Sequence, residues 1–133
     1  HVGDATVFTK ELCGIADRVL VDAPCSGLGV LRKKPDIKYF RNEEDIFALA
    51  RTGSAILENA SQYVKDDGIL VYSTCTIDPV ENEYVIKQFL DKHDDFKLEP
   101  IKQYDKDNDG YLTLYPHKDG CDGFFICKMR KVR

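Results

Sequence analysis

The sequence predicts an α/β domain built on a parallel sheet, and three features lead to that expectation. Short apolar runs at residues 19–21 and 69–73 are typical of buried strands. Between them, one long helical pattern gives the order strand, helix, strand. Strands joined by a helical crossover run parallel, so the carboxyl ends of both strands meet at one edge of the sheet. Open α/β sheets bind their ligands at that edge.

The first strand, residues 18–22, ends in a loop that presents an acid, a proline and a thiol together. Asp22 closes the strand, and Pro24 with the glycines that follow prevents further strand or an immediate helix. Cys25 lies inside this loop, and Cys75 follows the end of the second strand. If the two strands are neighbours, about 4.8 Å apart, the two thiols face one pocket.

Residues 32–41 follow the thiol loop and carry five basic side chains against one acid, with two aromatic residues interleaved. An isolated run of this kind is more often a solvated loop. Its place directly after the thiol loop favours a rim that contacts phosphates. The predicted contacts are Arg32, Lys33, Lys34 and Lys38.

The long helical pattern has a defined start and end. Asn42 is a predicted N-cap, and the three acidic residues after it suit the positive end of the helix dipole. Apolar residues recur at helical spacing as far as Val64, and Gly68 ends the helix. We expect this helix to serve as scaffold.

The remaining elements follow the second strand. Asp78 as N-cap, Pro79 at the first helical position and the carboxylate of Glu81 predict a helix that runs to about residue 92. Residues 94–100 predict a weak edge strand through Phe96 and Leu98. Residues 123–129 are apolar on both faces, which predicts a central strand.

Composition narrows the class of protein. The 133 residues suffice for one domain, and the net charge of −4 does not by itself indicate nucleic-acid binding. Five cysteines without framework spacing or a CxxC pair predict reduced thiols in a cytosolic protein and no metal site. The sequence shows no membrane span and no signal peptide. Its start at His1 predicts a processed chain or an excised piece.

Two motif matches fail on inspection. Residues 105–110 resemble the opening of a calcium loop, but the twelfth position, which needs a glutamate, is Pro116. We therefore expect a surface turn rich in Asp and Asn. Gly27 and Gly29 resemble the start of a dinucleotide fingerprint, but Arg32 occupies the third glycine position. This segment predicts a tight loop that lets a substrate approach the backbone.

Several reaction types could use two thiols at the ends of neighbouring strands. A cysteine hydrolase needs an orienting histidine, and none of the three histidines has an evident supporting group. A disulfide oxidoreductase favours CxxC. A thiolate, a second thiol and an acid without histidine suit conjugate addition to a pyrimidine ring. The other three cysteines, Cys13, Cys121 and Cys127, are predicted to be inert core residues.

Three segments resemble motifs of one enzyme family. Residues 22–39 (DAPCSGLGVLRKKPDIKY) closely resemble the fourth motif of the RsmB/Sun family, bacterial cytosine-5 methyltransferases that act on small-subunit ribosomal RNA. Residues 72–83 (YSTCTIDPVENE) resemble its sixth motif, and residues 122–125 its last strand. The resemblance runs from about residue 3 to residue 129. It favours the ribosomal branch over the relatives that methylate transfer RNA.

The resemblance implies roles for five residues. Cys75 corresponds to the nucleophile that adds to carbon 6 of cytosine, and Asp22 to the acid at the ring nitrogen. Cys25 corresponds to the group that helps remove the carbon 5 proton and release the enzyme. Asp4, together with Asp22 and Pro24, is implied to contact S-adenosylmethionine. The target base must leave its stack to reach such a site.

The resemblance also implies what the chain contains. Residues 1–133 correspond to a partial catalytic domain, the C-terminal half of a Rossmann-like S-adenosylmethionine-dependent methyltransferase domain. They supply strands 4, 5, 6 and 7 of a sheet with the order 3-2-1-4-5-7-6, flanked by helices. The main cofactor loop is expected upstream, so the chain is expected to be inactive alone.

In the expected sheet, strand 1 lies beside strand 4, and residues 1–133 do not supply it. Strand 4, residues 18–22, becomes an apolar edge that we expect to pair with a second copy or to be shielded by residues 1–15. The expected partners are ribosomal RNA and the missing half of the same domain, in the cytoplasm. The alternative from another class is a non-catalytic α/β module that binds RNA or a protein partner.

Overall fold

The computed structural model describes residues 2–102 and 108–133 as five strands, four helices and two short 3-10 turns. The strands are β1 (Ala16–Asp22), β2 (Val64–Thr74), β3 (Phe96–Leu98), β4 (Tyr111–Leu114) and β5 (Phe124–Lys131). The helices are α1 (Ile37–Phe40), α2 (Glu43–Tyr63), α3 (Glu83–Leu90) and α4 (Pro116–Asp119), and the 3-10 turns are Lys10–Leu12 and Leu28–Val30.

The strands form one mixed sheet in the order β1-β2-β5-β3, with β4 also paired to β5. β1 and β2 are parallel, and β5 runs antiparallel to β2, β3 and β4. This order is the 4-5-7-6 portion of the expected sheet, so the predicted topology is confirmed. The central place of β5 and the edge place of β3 are confirmed as well.

The core lies on one face of the sheet, beneath α2 and α3. Its fully buried members include Leu57, Val64, Leu70, Tyr72, Phe125, Cys127 and Met129. Alternation along β2 and β5 sends these strand residues to the covered face. The rings of Tyr72 and Phe125 meet edge to face at 6.4 Å. Of the three cysteines predicted to be core residues, Cys127 is buried, but Cys13 is exposed and Cys121 only half-buried, so that prediction was wrong for Cys13.

Helix α2 starts as predicted and ends earlier. Asn42 and Asp45 form a reciprocal capping box at its start. The helix stops at Tyr63, because Val64 is extended (φ −73°, ψ 128°), fully buried and paired with Ala16 of β1. Valine is β-branched and favours an extended backbone over a helical one. Because Val64 is also buried in the extended conformation, it begins a strand here. The prediction that Gly68 ends the helix was therefore wrong.

Helix α3 and strand β4 also differ from the prediction. The Asp78 carboxylate accepts a hydrogen bond from the Val80 N–H (2.9 Å) in a turn, and the helix begins only at Glu83. Strand β4 was not predicted, because we assigned residues 105–116 to a turn. The turn itself persists at Asn108, whose side-chain oxygen accepts from the N–H groups of Ile101 (2.8 Å) and Gly110 (3.2 Å). Residues 105–107 of that prediction lie outside the described residues.

The outer edge of β1 has no strand beside it in the part of the chain that the structure describes. Leu20 is 68% exposed there. The predicted shielding by the N-terminal segment is not seen in residues 2–15, which pack on the end of α2 instead. Phe8 stacks on Tyr63 at 5.8 Å, and the Gly14 N–H donates to the Gln62 carbonyl at 2.9 Å. The aromatic face at the end of α2 offers more apolar contact than a strand edge does.

Candidate active site

The structure brings the two predicted thiols together. Cys25 follows β1, Cys75 follows β2, and because the two strands are parallel neighbours their sulfur atoms lie 3.3 Å apart. Both side chains are half-buried. The pair stands at the carboxyl edge of the sheet, where parallel strands present ligand-binding groups.

Backbone hydrogen bonds close the loops around the thiols. The Gly29 N–H donates to the Cys75 carbonyl (3.0 Å), and the Gly123 N–H donates to the Gly29 carbonyl (2.8 Å). A Cβ atom at Gly29 would lie 2.1 Å from the Gly123 carbonyl oxygen, so only glycine fits. The backbone that approaches Gly29 belongs to this chain. The prediction that the Gly27–Gly29 loop lets a substrate approach its backbone was therefore wrong at Gly29.

The structure places Asp22 at the same edge, with its side chain exposed. Ser73, its register partner on β2, donates its hydroxyl proton to Asp22 Oδ1 at 2.8 Å. This bond fixes the orientation of the carboxylate. Sequence reasoning did not single out Ser73, although the strand pairing that opposes it to Asp22 follows from the parallel register.

The electrostatics of the pair differ from those of two exposed thiols. Burial, reinforced by the contact with Cys75, raises the pKa of Cys25 to about 12. Cys25 is therefore a neutral thiol near pH 7. A neutral S–H group beside the Cys75 sulfur can donate a hydrogen bond to it. To take a proton from a bound group, Cys25 must first give up its own.

A buried polar network underlies the thiol loops. Glu81 is 1% exposed and binds Ser26, the residue after Cys25. Thr74 and Asn82 form a second buried pair, with 2.6 Å between Oγ1 and Oδ1. The spacing of Asp78, Pro79 and Glu81 predicted a helix cap for Glu81. That assignment was wrong, because the carboxylate faces Ser26 and not the N–H group of Asp78.

The predicted RNA contacts fall into two groups. Lys33 and Arg32 form ion pairs with Asp122, at 2.6 Å and 3.3 Å, while their side chains stay 68% and 60% exposed. The hydrogen bond from Lys33 is the main cause that lowers the pKa of Asp122. Lys34 and Lys38 form no ion pair with any described residue. Lys38 lies 4.8 Å from the centre of the Tyr39 ring, which is 73% exposed.

The structure gives Asp4 a local role, and among the described residues its side chain is hydrogen-bonded to Thr6 and not to Asp22 or Pro24. Its carboxylate accepts from the N–H and the hydroxyl of Thr6, at 2.8 Å and 2.7 Å, and these bonds lower its pKa. Asp4 and Pro24 are both exposed. The turn that holds Asp4 is tied to α2 by the side chain of Asn59 (3.1 Å).

One histidine has a partner that the sequence did not reveal. His93 Nε2 lies 3.0 Å from both carboxylate oxygens of Glu58, and the ring stacks on Phe89 at 4.3 Å. The prediction that no histidine has a supporting group was wrong for His93. The contacts join α2 to the end of α3, and within residues 2–102 and 108–133 neither thiol of the pair is hydrogen-bonded to this ring.

Two general features bear on function. In the described part of the chain no helix is long and apolar enough to cross a membrane. Residues 2–102 and 108–133 contain no group of three or more His, Cys, Asp or Glu side chains that could hold a metal ion.

Comparison with known proteins gives a consistent result. The family model described as "16S rRNA methyltransferase RsmB/F" matches residues 1–130. The probable ribosomal RNA small subunit methyltransferase B of Bacillus subtilis (strain 168) is 48% identical over 122 residues, which cover 86% of this chain and 27% of the relative. Ribosomal RNA small subunit methyltransferase B of Pasteurella multocida (strain Pm70) is 42% identical, over 98% of this chain and 30% of the relative.

A solved structure shows the same fold. NSun6 from Pyrococcus horikoshii with SFG superposes with a TM-score of 0.81 and 37% identity, over 98% of this chain and 34% of that chain. The fold is thus that of the C-terminal half of a Rossmann-like methyltransferase domain. The chain spans 27% and 30% of the two curated relatives.

Proposed function

Since this chain belongs to the RsmB/F family of 16S rRNA methyltransferases, we propose that it carries the substrate-side chemistry of S-adenosylmethionine-dependent cytosine-5 methylation of small-subunit ribosomal RNA. The observation that carries the proposal is the pair of sulfur atoms of Cys25 and Cys75, 3.3 Å apart at the carboxyl ends of adjacent parallel strands. Asp22 lies at the same edge, oriented by Ser73. Nucleophile, second thiol and acid are the three groups that this reaction needs.

The reaction divides among the three residues. The Cys75 thiolate forms a bond to carbon 6 of the flipped cytosine, and the electrons of the 5,6 double bond move into the ring. Asp22, in its protonated form, donates a hydrogen bond or a proton to the ring nitrogen that receives this charge, and the nitrogen returns that proton when the product ring re-forms. Carbon 5 becomes the nucleophile that accepts the methyl group. Loss of the carbon 5 proton then lets the carbon–sulfur bond break, and its electrons return to Cys75 as thiolate.

Cys25 is the proposed acceptor of the carbon 5 proton. A thiol whose pKa is raised to about 12 holds a proton firmly at neutral pH. Because Cys25 is protonated at rest, it first gives its own proton to solvent, which the half-buried side chain can reach. Its strongly basic thiolate then takes the proton from carbon 5, and the step returns Cys25 to the neutral thiol. Because its sulfur lies beside that of Cys75, the proton leaves carbon 5 close to the bond that breaks.

The residues of this chain that would hold the cofactor are Asp4, Asp22 and Pro24. All three side chains are exposed, and the two carboxylates suit a group with amino and hydroxyl donors. S-adenosylmethionine supplies the methyl group when bound. SFG, present in the NSun6 structure, is an analogue of S-adenosylmethionine, which supports this assignment. The main cofactor loop is proposed to lie in the remainder of the full-length protein.

The proposed RNA contacts are the basic side chains after the thiol loop. Lys34 and Lys38 are exposed, and Arg32 and Lys33 retain accessible charge beside Asp122. Such groups bind phosphates, while the neighbouring exposed Tyr39 offers a face on which a base can stack. Similarity to methyltransferases of the small ribosomal subunit favours ribosomal RNA over transfer RNA. A cytoplasmic location follows from that substrate.

We propose a non-catalytic behaviour for the 133 residues in isolation. The exposed Leu20 edge of β1 favours pairing with the rest of the domain or with a second copy. Without the remainder of the protein, the chain is proposed to transfer no methyl group.

The experiment uses the full-length protein with RNA that contains the target cytosine and S-adenosylmethionine. Cys75→Ala is expected to abolish the covalent protein–RNA adduct on denaturing gels. Cys25→Ala is expected to let the adduct accumulate because release fails. Cys13→Ala, which removes an exposed thiol at the opposite end of β1 from Cys25, serves as control. An adduct that persists in Cys75→Ala overturns the assignment of the nucleophile.

A further inference from the structure

Both oxygens of one buried carboxylate bind the residue that follows Cys25. Glu81 is 1% exposed, and its Oε1 accepts from the Ser26 N–H at 2.7 Å. Its Oε2 accepts from the Ser26 hydroxyl at 2.5 Å. Ser26 is itself buried, at 1% exposure. The segment next to Cys25 is therefore fixed by two short hydrogen bonds to one buried side chain.

The same hydroxyl reaches the residue that follows Cys75. Ser26 Oγ lies 3.0 Å from Thr76 Oγ1, and Thr76 is fully buried. Ser26 has a single hydroxyl proton, which it donates to Glu81, so Thr76 is the donor in this contact. The residues that follow the two cysteines are thus joined to each other and to Glu81.

The carboxylate is anchored to the sheet through its own backbone. The Tyr72 hydroxyl, on β2, donates to the Glu81 carbonyl at 2.9 Å. Tyr72 is 1% exposed and packs against Phe125 of β5. Glu81 therefore connects the loop that carries Cys25 to the rigid centre of the sheet by hydrogen bonds.

We infer that Glu81 is a positioning residue that sets the separation of the Cys25 and Cys75 sulfur atoms, and that it thereby controls release of the methylated base. This inference rests on the proposed function for its catalytic consequence, and on geometry alone for the spacing. A carboxylate is the one common side chain that accepts two hydrogen bonds and needs no donor partner. A glutamine at this position has a single acceptor oxygen, so at least one of the two Ser26 donors loses its acceptor, and the loop relieves this by turning towards water.

The spacing is tested without RNA, on the full-length protein. Dibromobimane fluoresces strongly after both of its arms have reacted with two nearby thiols. The wild type is expected to give this signal with a Cys25–Cys75 link identified by peptide mass spectrometry, and Cys25→Ser is expected to lack it. Glu81→Gln and Ser26→Ala are expected to slow bridging by about tenfold or more, as befits a displacement near 1 Å.

Glu83→Gln is the matched control. Glu83 lies two residues away and is half-buried, but its Oε1 accepts from Thr113 (3.3 Å) and not from Ser26. Its bridging rate is expected to equal that of the wild type. Thermal unfolding separates loss of the whole fold from loss of the spacing. If Glu81→Gln is too unstable to assay, Ser26→Ala decides, because it retains the Glu81 carboxylate and the backbone N–H donor.

The catalytic consequence has its own measurement. In Glu81→Gln, the covalent RNA adduct is expected to form and then to accumulate, as in Cys25→Ala. The rate of Cys25 mono-alkylation is measured in each variant, so that the bridging step is separated from changes in thiol reactivity. Unchanged bridging in both Glu81→Gln and Ser26→Ala overturns the positioning role whatever the activity, and so does a wild type in which Cys25 is alkylated but does not bridge to Cys75. Slower bridging with normal adduct release keeps the positioning role and removes the proposed function of Cys25.

Discussion

The raised pKa of Cys25 predicts a reactivity that can be measured directly. Because the pKa of Cys25 is about 12 against an ordinary 9.0, the thiolate fraction at pH 8 falls by about 10³-fold. A more basic thiolate is also a better nucleophile, and over three pKa units a Brønsted coefficient of roughly 0.4–0.5 returns about 15- to 30-fold. Cys25 should therefore react with iodoacetamide about 30- to 60-fold more slowly at pH 8 than a thiol with the ordinary pKa.

The assay is a time course of alkylation on the folded full-length protein, followed by trypsin digestion and mass spectrometry. Cys13, Cys25 and Cys75 fall on separate tryptic peptides, so each rate is read independently. Exposed Cys13 is the internal reference for access to reagent. Protein unfolded in urea is the control, in which Cys25 and Cys13 should react at similar rates.

The pH profile separates the pKa from simple steric protection. Steric protection slows alkylation equally at every pH. A pKa near 12 makes the Cys25 rate rise about tenfold per pH unit between pH 9.5 and 11, where a thiol of ordinary pKa has already levelled off. A Cys25 rate that reaches its plateau near pH 9 would refute the reasoning.

Three further predictions follow from particular residues. Gly29→Ala should lower the free energy of unfolding by about 3 kcal/mol, because its Cβ would lie 2.1 Å from a carbonyl oxygen. At the control position Gly14, a Cβ has no atom within 4 Å but φ is +64°, so Gly14→Ala should cost only about 1–2 kcal/mol. Equal losses of the two variants in chemical denaturation would contradict the argument. Leu20→Lys should reduce self-association of the isolated chain in sedimentation experiments without lowering its thermal stability, because the side chain is already 68% exposed; unchanged association means that another surface is responsible. Residues 105–116 should bind calcium no tighter than about 10⁻⁴ M in titration calorimetry, since Pro116 supplies no carboxylate, and tighter binding assigned to this segment disproves the prediction.

Local patterns determined the scaffold of this protein. Two short apolar runs separated by one amphipathic helix were enough to predict parallel neighbours, because a helical crossover leaves few arrangements for the strands. Adjacency of the strands then brought Cys25 and Cys75 to one edge. The N-cap at Asn42 was also readable, since its partner Asp45 is only three residues away.

Contacts between distant parts of the chain were decided only by the tertiary structure. Ser26 and Glu81 are separated by 55 positions, and the sequence offered a plausible local use for the carboxylate in a helix cap. Lys33 meets Asp122 only because β5 is inserted beside β2. The stop of α2 at Tyr63 depended on the same kind of contact, since Val64 fits either pattern until Ala16 pairs with it. The spacing of apolar residues within one helix or strand determines which face of that element is buried. The hydrogen-bond partner of a buried polar group depends instead on which loops the packed sheet brings together.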